Sequence, residues 1–214
     1  DSAAARWTVS LDTASGPATL RCRFLYMCAG YYSYAGGHRP HWVGEADFTG
    51  AIIHPQFWPE QLDYTGKRIV VIGSGATAVT LVPELARRAA HVTMLQRTPT
   101  WMVSRPSTDI IANALRAVLP ADLAYRLTRW KNVTLGQYFY RQTRTNPGRV
   151  RQILLKRLAR LLPADYDLAT HFTPAYNPWD QRLCLVPDGD LFHALKSGMA
   201  SIVTEQINRF EAGG

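Results

Sequence analysis

The spacing of hydrophobic and polar residues changes several times along the chain, and each change marks a different kind of element. Alternation over residues 7–11 and again over 20–27, with a Ser-Gly-Pro turn at 15–17 between them, predicts two strands around a turn. Residues 29–64 then lack periodicity and are rich in glycine, proline and aromatic side chains. A segment of that length predicts a functional loop or a connector between domains.

A strand, turn, helix and strand pattern begins at residue 67. Residues 68–72 form an aliphatic run of the kind that a buried parallel strand needs. A Gly-Ser-Gly turn follows, and residues 76–90 carry apolar side chains at helical spacing, although Pro83 is expected to kink or open that helix. Residues 91–95 predict a second short strand. The whole pattern has the length of one βαβ unit, which is about thirty residues.

The middle of the chain, from about residue 106 to 165, predicts a helical insertion within this α/β pattern. Capping residues at 107–109 precede apolar residues at helical spacing, and Pro120 ends that run. A second helix is predicted from Asp122 towards Tyr140. Four aromatic residues of this second helix are expected to lie in the core, namely Trp130, Tyr138, Phe139 and Tyr140.

A third helix is predicted to begin at Asn146 and Pro147, a capping residue followed by a first-turn proline. Its apolar residues fall on one stripe, at Val150, Leu154, Leu158 and Leu161. The elements predicted after the insertion are a short helix over 191–196 and a strand over 201–204.

Composition places the chain among globular proteins. Hydrophobic residues make up 47% and charged residues 19% of the 214, which excludes a disordered tail, a collagen-like repeat and a coiled coil. The longest aliphatic run covers residues 69–72 and falls far short of the about 20 residues that span a bilayer. The chain starts with Asp1 rather than Met and lacks a secretory-type start, so we expect a fragment or processed piece.

The net charge of +8 comes almost wholly from one part of the chain. Seven basic residues and no acidic residue lie between positions 141 and 162, and those within the third helix occupy the face opposite its apolar stripe. We expect that face to be the solvated back of a packed amphipathic helix, with no nucleic acid as partner. Contact of this basic helix, at 149–162, with an anionic membrane surface stays open as an alternative.

Three cysteines without a Cys-x-x-Cys pair argue against a disulfide framework and against a structural zinc site, so no metal is expected. Cys22 and Cys28 enclose five residues that predict a strand, and a redox pair there is the alternative. The simpler interpretation is reduced thiols in a cytoplasmic protein.

A glycine motif joins the first parallel strand to its helix. In Gly73-x-Gly75-x-x-Ala78, the first glycine permits a tight turn, the second lets the backbone approach a diphosphate, and the alanine lets the helix pack on the strand. The helix N-terminus adds free N–H groups and partial positive charge. The candidate dinucleotide ligands are therefore Gly73, Ser74, Gly75, Ala76, Thr77 and Ala78. A glycine-rich turn that only closes an α/β core is the alternative.

The end of the second strand indicates which dinucleotide binds. NAD sites usually place an acidic residue about 20 residues beyond the glycine motif, where it holds the ribose hydroxyls. Here Arg97 and Thr98 stand in that place. A guanidinium pairs with a 2′-phosphate, so we expect NADP(H), with Arg97 as the main contact and Thr98 as a hydrogen-bond donor. An exposed arginine at a strand end, without a ligand, is the alternative.

A fingerprint upstream of the glycine motif resembles that of a known family. The pattern Phe-x-Gly-x-x-x-His-x-x-x-Trp-Pro is matched at Phe48, Gly50, His54, Trp58 and Pro59. This pattern is typical of Baeyer–Villiger monooxygenases within the flavin-dependent monooxygenase superfamily. The Gly-Ser-Gly-Ala-Thr-Ala turn and the runs at 96–101 and 182–185 resemble the same family in the same order. Residues 48–103 and 176–192 look closest to its ethionamide-activating branch.

The resemblance implies an α/β fold with a Rossmann-type dinucleotide-binding domain, part of a two-domain FAD/NAD(P)-binding architecture. Residues 1–60 resemble the C-terminal part of an FAD-binding domain plus a linker. Residues 61–214 resemble the NADP-binding domain with its helical insertion at about 106–165. The N-terminal FAD-binding glycine motif of the family has no counterpart here, so the chain alone is expected neither to hold FAD nor to be active.

The resemblance also implies roles for individual residues. His54 and Trp58 belong to the linker between the two dinucleotide domains and are expected to organise that junction. Arg182 matches the arginine that reaches the flavin. Gln181 stands beside it, where the wider family often has a lysine that binds the 2′-phosphate, and this departure leaves the strictness of NADPH preference open.

The reaction implied is a monooxygenation that uses NADPH, FAD and O₂. In the family, NADPH reduces the flavin, O₂ adds to it as a C4a-peroxide, and Arg182 would stabilise the anionic adduct formed with a ketone. The product is an ester or lactone, and oxidation of a sulfur or nitrogen centre, as in a sulfide or thioamide, is open to the same oxidant. The alternatives are an inactive NADP-binding fragment and a simple NADP-dependent oxidoreductase.

Overall fold

The structure is a computed structural model that describes residues 2–30 and 32–214. Its strands are β1 Trp7–Thr13, β2 Gly16–Cys22, β3 Arg68–Ile72, β4 His91–Gln96, β5 Trp101–Arg105, β6 Leu183–Pro187 and β7 Ala200–Thr204. Its α-helices are α1 Ala76–Ala86, α2 Ile110–Val118, α3 Ala121–Thr145, α4 Pro147–Leu158, α5 Leu168–Phe172 and α6 Asp190–Lys196. Two 3-10 turns, Glu45–Asp47 and Pro55–Phe57, lie in the long segment between β2 and β3.

A three-stranded parallel sheet with the order β3-β4-β7 forms the centre of the fold. Near the ends of the strands, Ile72 of β3 stands beside Leu95 of β4, and Gln96 of β4 stands beside Thr204 of β7. All three strands therefore end at one edge of the sheet, and α1 begins at that edge. Strand, helix and parallel strand follow in the predicted order, which confirms the Rossmann-type βαβ pattern.

The main hydrophobic core lies between this sheet and the helices α1 and α6. Its members from α1 are Ala78, Val79, Val82, Leu85 and Ala86. Val92 and Met94 face them from β4, and Leu191 and Phe192 face them from α6. Complete burial of large apolar side chains contributes about 1.5–3 kcal/mol each, so this layer holds β3, α1 and β4 together.

The strand β3 lies at the edge of the sheet, and only one of its faces is covered. Ile69 and Val71 pack against the main core, whereas Val70 and Ile72 are largely exposed. The aliphatic run at 68–72 is typical of a strand buried on both faces, and that expectation is wrong for β3. The physical reason is that the described residues leave the second face of the sheet open at this edge.

A second parallel pair, β5 and β6, attaches the helical insertion to the α/β body. Trp101 of β5 is fully buried, and its indole N–H donates to the Tyr176 carbonyl at 2.9 Å. Val150 and Leu154 of α4 pack on Trp101 in a second, smaller core. Neither strand was predicted from the spacing, because each short segment becomes regular only through its pairing with the other.

The helices α2, α3 and α4 form the predicted insertion. Asp109 caps α2 by accepting the Ala112 N–H at 3.0 Å, and its carboxylate pairs with Lys131 of α3. The helix α3 extends to Thr145, beyond its predicted end at Tyr140. The helix α4 begins at its first-turn proline as predicted and buries the stripe residues Val150, Leu154 and Leu158. No helix among the described residues is long and apolar enough to cross a membrane.

Two further boundaries differ from the sequence-based prediction. The strand β2 ends at Cys22, so the residues between Cys22 and Cys28 do not form the expected strand, and both thiols are free. The helix α1 runs through Pro83 and ends at Ala86 rather than at residue 90. Packing of α1 against the sheet maintains the helix across the proline, and i to i+3 hydrogen bonds then tighten the chain into a turn.

The aromatic residues of α3 are not core residues. Trp130, Tyr138 and Tyr140 project into solvent, and Phe139 packs partly against the second core. The expectation that these residues lie in the core is therefore wrong for three of the four. The physical reason is that the described residues place no layer over these sides of α3.

The C-terminal segment connects the N-terminal part of the chain to the α/β domain. Residues 2–30 and 32–60 include no buried side chain, and β1 and β2 form an antiparallel hairpin. The C-terminal segment returns to this region, because the Phe210 N–H donates to the Val43 carbonyl at 2.7 Å. The Thr49 N–H also donates to the Ala212 carbonyl at 3.2 Å. The C-terminal segment therefore packs against residues 43–49 of the connecting segment.

Candidate functional site

The turn between β3 and α1 has the conformation that the glycine motif requires. Gly73 has a φ of +129°, a region that favours glycine, and its N–H donates to the Leu95 carbonyl of β4 at 2.8 Å. The Val79 N–H bonds to the Gly75 carbonyl at 3.0 Å. The amides of residues 76–78 precede this bond and point out of the helix start. The turn thus presents donors and partial positive charge at the carboxyl edge of the sheet.

The Ser74 side chain fixes the turn to the loop after β4. Its hydroxyl lies 2.9 Å from Thr100 Oγ1 and donates to the Thr98 carbonyl at 3.3 Å. The Cys184 thiol donates a weak hydrogen bond to the Ser74 carbonyl at 3.8 Å. Burial raises the pKa of the Cys184 thiol, against a smaller opposite effect of the Arg182 charge, so the thiol stays protonated and able to donate.

The remaining motif residues have two roles. Ala78 packs the helix on the sheet, and Ala76 and Thr77 are exposed at the carboxyl edge of the sheet. Ala78 is buried against the sheet, where its small side chain lets α1 approach β3 and β4. Ala76 and Thr77 are exposed at the first turn of α1. Their backbone and the Thr77 hydroxyl therefore remain accessible to a ligand that lies on the helix start.

Arg97 and Thr98 follow directly after β4 and are both exposed. The hydrogen bond from Gly73 to Leu95 brings the glycine turn within two residues of Arg97. Gln96, immediately before it, is 1% exposed and donates at 2.9 Å to both the His171 carbonyl and Thr204 Oγ1. The hydrogen bonds of buried Gln96 therefore fix the end of β4, whereas the Arg97 that follows it is exposed to solvent.

Arg182 lies against the glycine turn. If Gly75 carried a β-carbon, that atom would stand 2.8 Å from Nη1 of Arg182. Gln181 and Arg182 are exposed and directly precede β6. The structure thus brings the Arg182 guanidinium to the edge where α1 begins.

His54 organises the loop that carries the fingerprint. Its Nδ1 accepts the Gln56 N–H at 3.2 Å and so caps the 3-10 turn Pro55–Phe57. Its ring lies so close to Gly37 that a β-carbon there would overlap Cε1 and Nε2. The Gln56 side chain completes the contact by donating to the Ser33 carbonyl at 2.9 Å. The imidazole therefore joins two parts of the connecting segment.

Phe48 and Gly50 form one packing unit, which explains their spacing. The Phe48 ring lies over Gly50, where a β-carbon would come within 2.5 Å of the ring. The same ring meets Phe210 edge-on at 5.9 Å between centroids. This contact joins the fingerprint to the C-terminal segment, whose part in the junction the sequence did not indicate.

Trp58 and Pro59 lead the chain towards β3. The Trp58 ring meets Tyr64 edge-on at 6.2 Å, and the Arg88 guanidinium lies 5.1 Å from the centre of the Tyr64 ring. This stack fixes the end of the linker to the turn that follows α1. The fingerprint residues thus contact the linker and the C-terminal segment, whereas Arg182 lies against the glycine turn and Arg97 follows the end of β4 at the same edge of the sheet.

Sequence reasoning missed two residues that support the glycine turn. Thr100 and Cys184 each make a hydrogen bond to Ser74, one to its hydroxyl and one to its carbonyl. No local pattern could identify Thr100. Cys184 follows Arg182 by two positions, but its contact with the turn depends on the pairing of β6 with β5.

The family comparison agrees with this arrangement. The description "Flavin-binding monooxygenase-like" matches residues 2–134, which include the fingerprint, the glycine turn and Arg97. The chain belongs to the flavin-binding monooxygenase-like family. The predicted membership of the flavin-dependent monooxygenase superfamily is therefore confirmed.

Curated relatives of this flavin-binding monooxygenase-like chain are similar along nearly all of it. It is 53% identical over 210 residues to the FAD-containing monooxygenase EthA of Mycobacterium tuberculosis, which covers 98% of this chain. It is 49% identical to the probable FAD-binding monooxygenase AlmA of Acinetobacter baylyi, over 100% of this chain. The chain spans 43% of the length of each of these relatives.

Solved structures share the fold at low identity. A steroid monooxygenase bound to NADP superposes with a TM-score of 0.69 at 21% identity, over 99% of this chain and 47% of the other. The complex of OTEMO with FAD and NADP gives 0.64 at 20% identity, over 95% and 45%. These matches confirm the α/β, dinucleotide-binding type of fold. FAD and NADP, the expected cofactors, are both named for the OTEMO complex, and NADP is named for the steroid monooxygenase.

Proposed function

We propose that this chain provides the NADP-binding part of a flavin-dependent monooxygenase of the Baeyer–Villiger type. The observation that carries the proposal is that three positively charged or partly positive features lie at one edge of the sheet. These are the start of α1 behind Gly73 and Gly75, the guanidinium of Arg97 after β4, and the guanidinium of Arg182 over the turn. A dinucleotide with a diphosphate and a 2′-phosphate complements this arrangement.

NADP(H) fits the residues present. The open space beside Gly73 and the unpaired amides of residues 76–78 suit the diphosphate. In this proposal Arg97 contacts the 2′-phosphate and Thr98 donates a hydrogen bond to it, while the exposed Gln181 is neutral. A neutral Gln181 adds no charge to the 2′-phosphate contact, so discrimination between NADPH and NADH rests mainly on Arg97.

The described residues contain one glycine-rich turn between a parallel strand and a helix, and NADP(H) occupies it in this proposal. Residues 2–30 and 32–60 have no buried side chain and offer no comparable cradle for FAD. We therefore assign 1–60 to the end of an FAD-binding domain plus the linker, and 61–214 to the NADP-binding domain. The insertion at about 106–165 belongs to the second domain, because Trp101 and α4 share one core.

In the complete enzyme FAD supplies the activation of O₂, and this chain contributes charge and alignment. Arg182 is the candidate catalytic residue, because its guanidinium stands at the sheet edge and can neutralise negative charge on a substrate oxygen. His54, with Trp58 and Pro59, sets the path of the linker, and Phe48 with Gly50 joins it to the C-terminal segment.

The substrate class follows from the Baeyer–Villiger resemblance and is part of the proposal. A ketone would give an ester or lactone by insertion of one oxygen atom, and a sulfide, thioamide or other sulfur or nitrogen centre would be oxidised at the heteroatom. Stabilisation of an oxyanion by Arg182 is needed for a ketone but much less for a sulfur centre. Substitution of Arg182 is therefore expected to affect ketone oxidation more strongly than sulfide oxidation.

The test compares binding of NADPH and NADH to the chain by calorimetry. Arg97→Gln is expected to weaken NADPH binding by roughly tenfold to a hundredfold, because a charge-assisted hydrogen bond to phosphate is lost. Binding of NADH is expected to change less than about threefold. Arg68→Gln is the matched control, since Arg68 is an exposed arginine at the opposite edge of the same sheet.

A wild-type chain that is folded by circular dichroism but binds neither coenzyme would overturn the proposal. Equal losses of NADPH affinity in Arg97→Gln and Arg68→Gln would reject Arg97 as the specific 2′-phosphate contact, because two unrelated positions would then act only through net charge.

A second candidate function is an NADP-binding unit without redox activity. The observation that favours it is the single glycine-rich turn among the described residues. Since the chain alone is not expected to hold FAD, the two candidates are separated by its NADPH oxidation after fusion to an FAD-binding domain of the same family. Flavin-dependent oxidation of NADPH supports the monooxygenase, whereas NADPH binding without oxidation supports the binding unit.

A further inference from the structure

The loop that carries Arg182 runs between two fixed points. At its start, the Tyr176 carbonyl accepts the indole N–H of buried Trp101 at 2.9 Å. At its end, Leu183 begins β6 and stands beside Trp101 of β5. The path of residues 177–182 between these points therefore decides where Arg182 stands.

A turn at 177–180 shapes this path. The Asp180 N–H donates to the Asn177 carbonyl at 3.0 Å, and the Asn177 N–H donates to Asp180 Oδ2 at 3.2 Å. Trp179 has a φ of +69°, a conformation that a residue with a side chain keeps only where its surroundings hold it. The turn at 177–180 therefore depends on contacts that Trp179 and Asp180 receive from outside it.

The end of α3 makes contacts with both of these residues. Arg144 Nη1 donates to Asp180 Oδ1 at 2.5 Å. The Tyr140 ring meets the Trp179 ring edge-on, at 6.3 Å between centroids. Tyr140 and Arg144 are four positions apart and so lie on one face of α3. This face of the helix therefore holds the turn at two successive residues.

The end of α3 is fixed to the same core as the two ends of the loop. Phe139 of α3 packs against the second core around Trp101, and Tyr176 and Leu183 pack against it as well. Movement of the end of α3 relative to the loop is therefore restrained by packing. The ion pair between Arg144 and Asp180 thus ties the turn to a firm support.

The Arg182 guanidinium depends on this backbone for its place. Its Nη1 lies 2.8 Å from the point where a Gly75 β-carbon would stand. The guanidinium makes no hydrogen bond or ion pair with another residue that the structure describes. Arg182 follows Asp180 by two positions, so a change in the turn at 177–180 would move the guanidinium away from Gly75.

Charge maintains the contact between α3 and the turn. The hydrogen bond from Arg144 lowers the pKa of Asp180 most, and the Asn177 N–H lowers it further, so the carboxylate is ionised at neutral pH. Both side chains of the ion pair are partly exposed. Such a pair adds little to the free energy of unfolding of a whole chain, so its main effect is expected on the conformation of the turn.

We infer that Arg144 is a positioning residue for Arg182. Its ion pair with Asp180 fixes the turn at 177–180, and this turn holds the Arg182 guanidinium at the start of α1. Through Arg144, the helical insertion shapes the dinucleotide edge of the sheet. The inference rests on the proposed function, in which Arg182 is the candidate catalytic residue, and deepens it.

The test follows the Gly75 amide signal in the proton–nitrogen correlation spectrum of the full chain, recorded without coenzyme. Arg182→Gln defines the shift of this signal when the guanidinium is removed. Arg144→Gln is expected to shift it in the same direction, because the Arg182 guanidinium then leaves Gly75. Arg144→Lys should keep the wild-type position, since one nitrogen of Arg144 contacts Asp180 and an ammonium can replace it.

Hydrogen exchange measures the intermediate step, the loosening of the turn. The Asn177 and Asp180 amides are expected to exchange roughly tenfold or more faster in Arg144→Gln than in the wild type. Asp180→Asn breaks the ion pair from the loop side and should reproduce the shift of the Gly75 signal, which keeps the test decisive if Arg144→Gln does not fold.

Arg141→Gln is the matched control. It removes the same charge from an exposed position of the same helix, and it should leave the Gly75 signal and the exchange of the turn unchanged. The melting temperatures of Arg144→Gln and Arg141→Gln should both stay close to that of the wild type, because exposed charges contribute little to global stability.

Three results would overturn the inference. An unmoved Gly75 signal in Arg144→Gln would confine the role of Arg144 to the loop, even if the turn exchanged faster. A shift in Arg144→Lys or Arg141→Gln equal to that in Arg144→Gln would reject the ion pair as its cause. An unmoved signal in Arg182→Gln would mean that the guanidinium does not lie at Gly75.

Calorimetry with NADPH on the wild-type chain tests the proposed function separately. A chain that binds NADPH but shows no shift of the Gly75 signal in Arg144→Gln rejects the inference alone. A chain that shows the shift but binds no coenzyme rejects the proposed function, and with it the purpose assigned to this positioning.

Discussion

The guanidinium of Arg182 lies directly over Gly75, with Nη1 2.8 Å from the point where a β-carbon would stand. Two requirements therefore meet at this glycine. A diphosphate that binds the start of α1 needs the bare backbone, and the arginine that follows the Asn177–Asp180 loop needs the same space. Any side chain at this position displaces one partner or both.

Gly75→Ala is expected to weaken NADPH binding by roughly tenfold or more, because the new methyl group stands in the path of the diphosphate. The backbone of Gly75 is extended, so alanine fits its conformation and the chain should remain folded. Calorimetry with NADPH measures the loss. Gly148→Ala is the control, since a β-carbon there meets open space.

The double variant Gly75→Ala, Arg182→Ala separates the two causes. If the methyl group blocks the diphosphate, removal of the guanidinium does not restore NADPH affinity. Restoration to the affinity of Arg182→Ala would instead show that displacement of the arginine is the cause, and the direct contact of Gly75 with the cofactor would be rejected.

Gln96 holds the end of β4 from within the protein. Gln96→Leu keeps the volume but leaves the His171 carbonyl and the Thr204 hydroxyl without this donor. The free energy of unfolding in urea is expected to fall by about 1–3 kcal/mol. Gln152→Leu, at an exposed position of α4, should change it by less than about 0.5 kcal/mol. An equal effect of both substitutions would contradict the role given to Gln96.

Asp109 links the stability of the helical insertion to pH. The hydrogen bond from Lys131 lowers the pKa of this carboxyl most, and the Ala112 N–H lowers it further. A carboxyl with a lowered pKa stabilises the fold above the ordinary value of about 3.9, and the contribution is lost as pH falls through the lower value. Acid should therefore weaken the connection between α2 and α3.

Asp109→Asn keeps a capping side chain but loses the charge. Its melting temperature is expected to lie below that of the wild type at pH 7, and the two should converge below about pH 3. Thermal denaturation followed by circular dichroism across this range measures the difference. Asp12→Asn, at an exposed position of β1, should melt with the wild type throughout. A gap between Asp109→Asn and the wild type that persists in acid would refute the charge effect.

The three free cysteines should differ in reactivity. Cys28 is exposed, whereas Cys184 is buried and its pKa is raised by that burial. A thiol-specific chromogenic reagent is expected to modify Cys28 roughly tenfold or more faster than Cys184 in the native protein, and both equally in denaturant. Cys184→Ser should lose the slow phase of the modification reaction and Cys28→Ser the fast phase, which assigns each phase to its cysteine. A fast native Cys184 would contradict its protected position behind Ser74.

The extent to which sequence predicted the site differs from residue to residue. Gly73 and Ala78 follow from a local rule, because the backbone angle and the small volume that they supply are needed wherever a strand turns into a helix over a diphosphate. Arg97 follows from its position after the second strand. The support of Ser74 by Thr100 and Cys184 does not follow from any local pattern, because three separate segments must first pack together.

The helices and strands also differ in whether local sequence or tertiary packing decides them. Asp109, Pro120 and Pro147 mark helix boundaries through their own hydrogen bonding and ring geometry, and the predicted α2 and the start of α4 agree with the structure. The strands β5 and β6 are regular only as a pair. Trp130 carries the spacing of a core residue, yet whether a helix face is covered depends on the neighbours that the fold provides.

The sequence by itself determined the βαβ unit, the glycine turn, the starts of α2 and α4 and the family fingerprint, because each depends on residues near one another in the chain. The tertiary structure alone decided that Arg182 lies over Gly75, that the Phe48 ring packs on Phe210, and that the aromatic face of α3 stays open. These relationships join segments far apart in the chain. They arise only when burial of the two cores brings those segments together and leaves other surfaces uncovered.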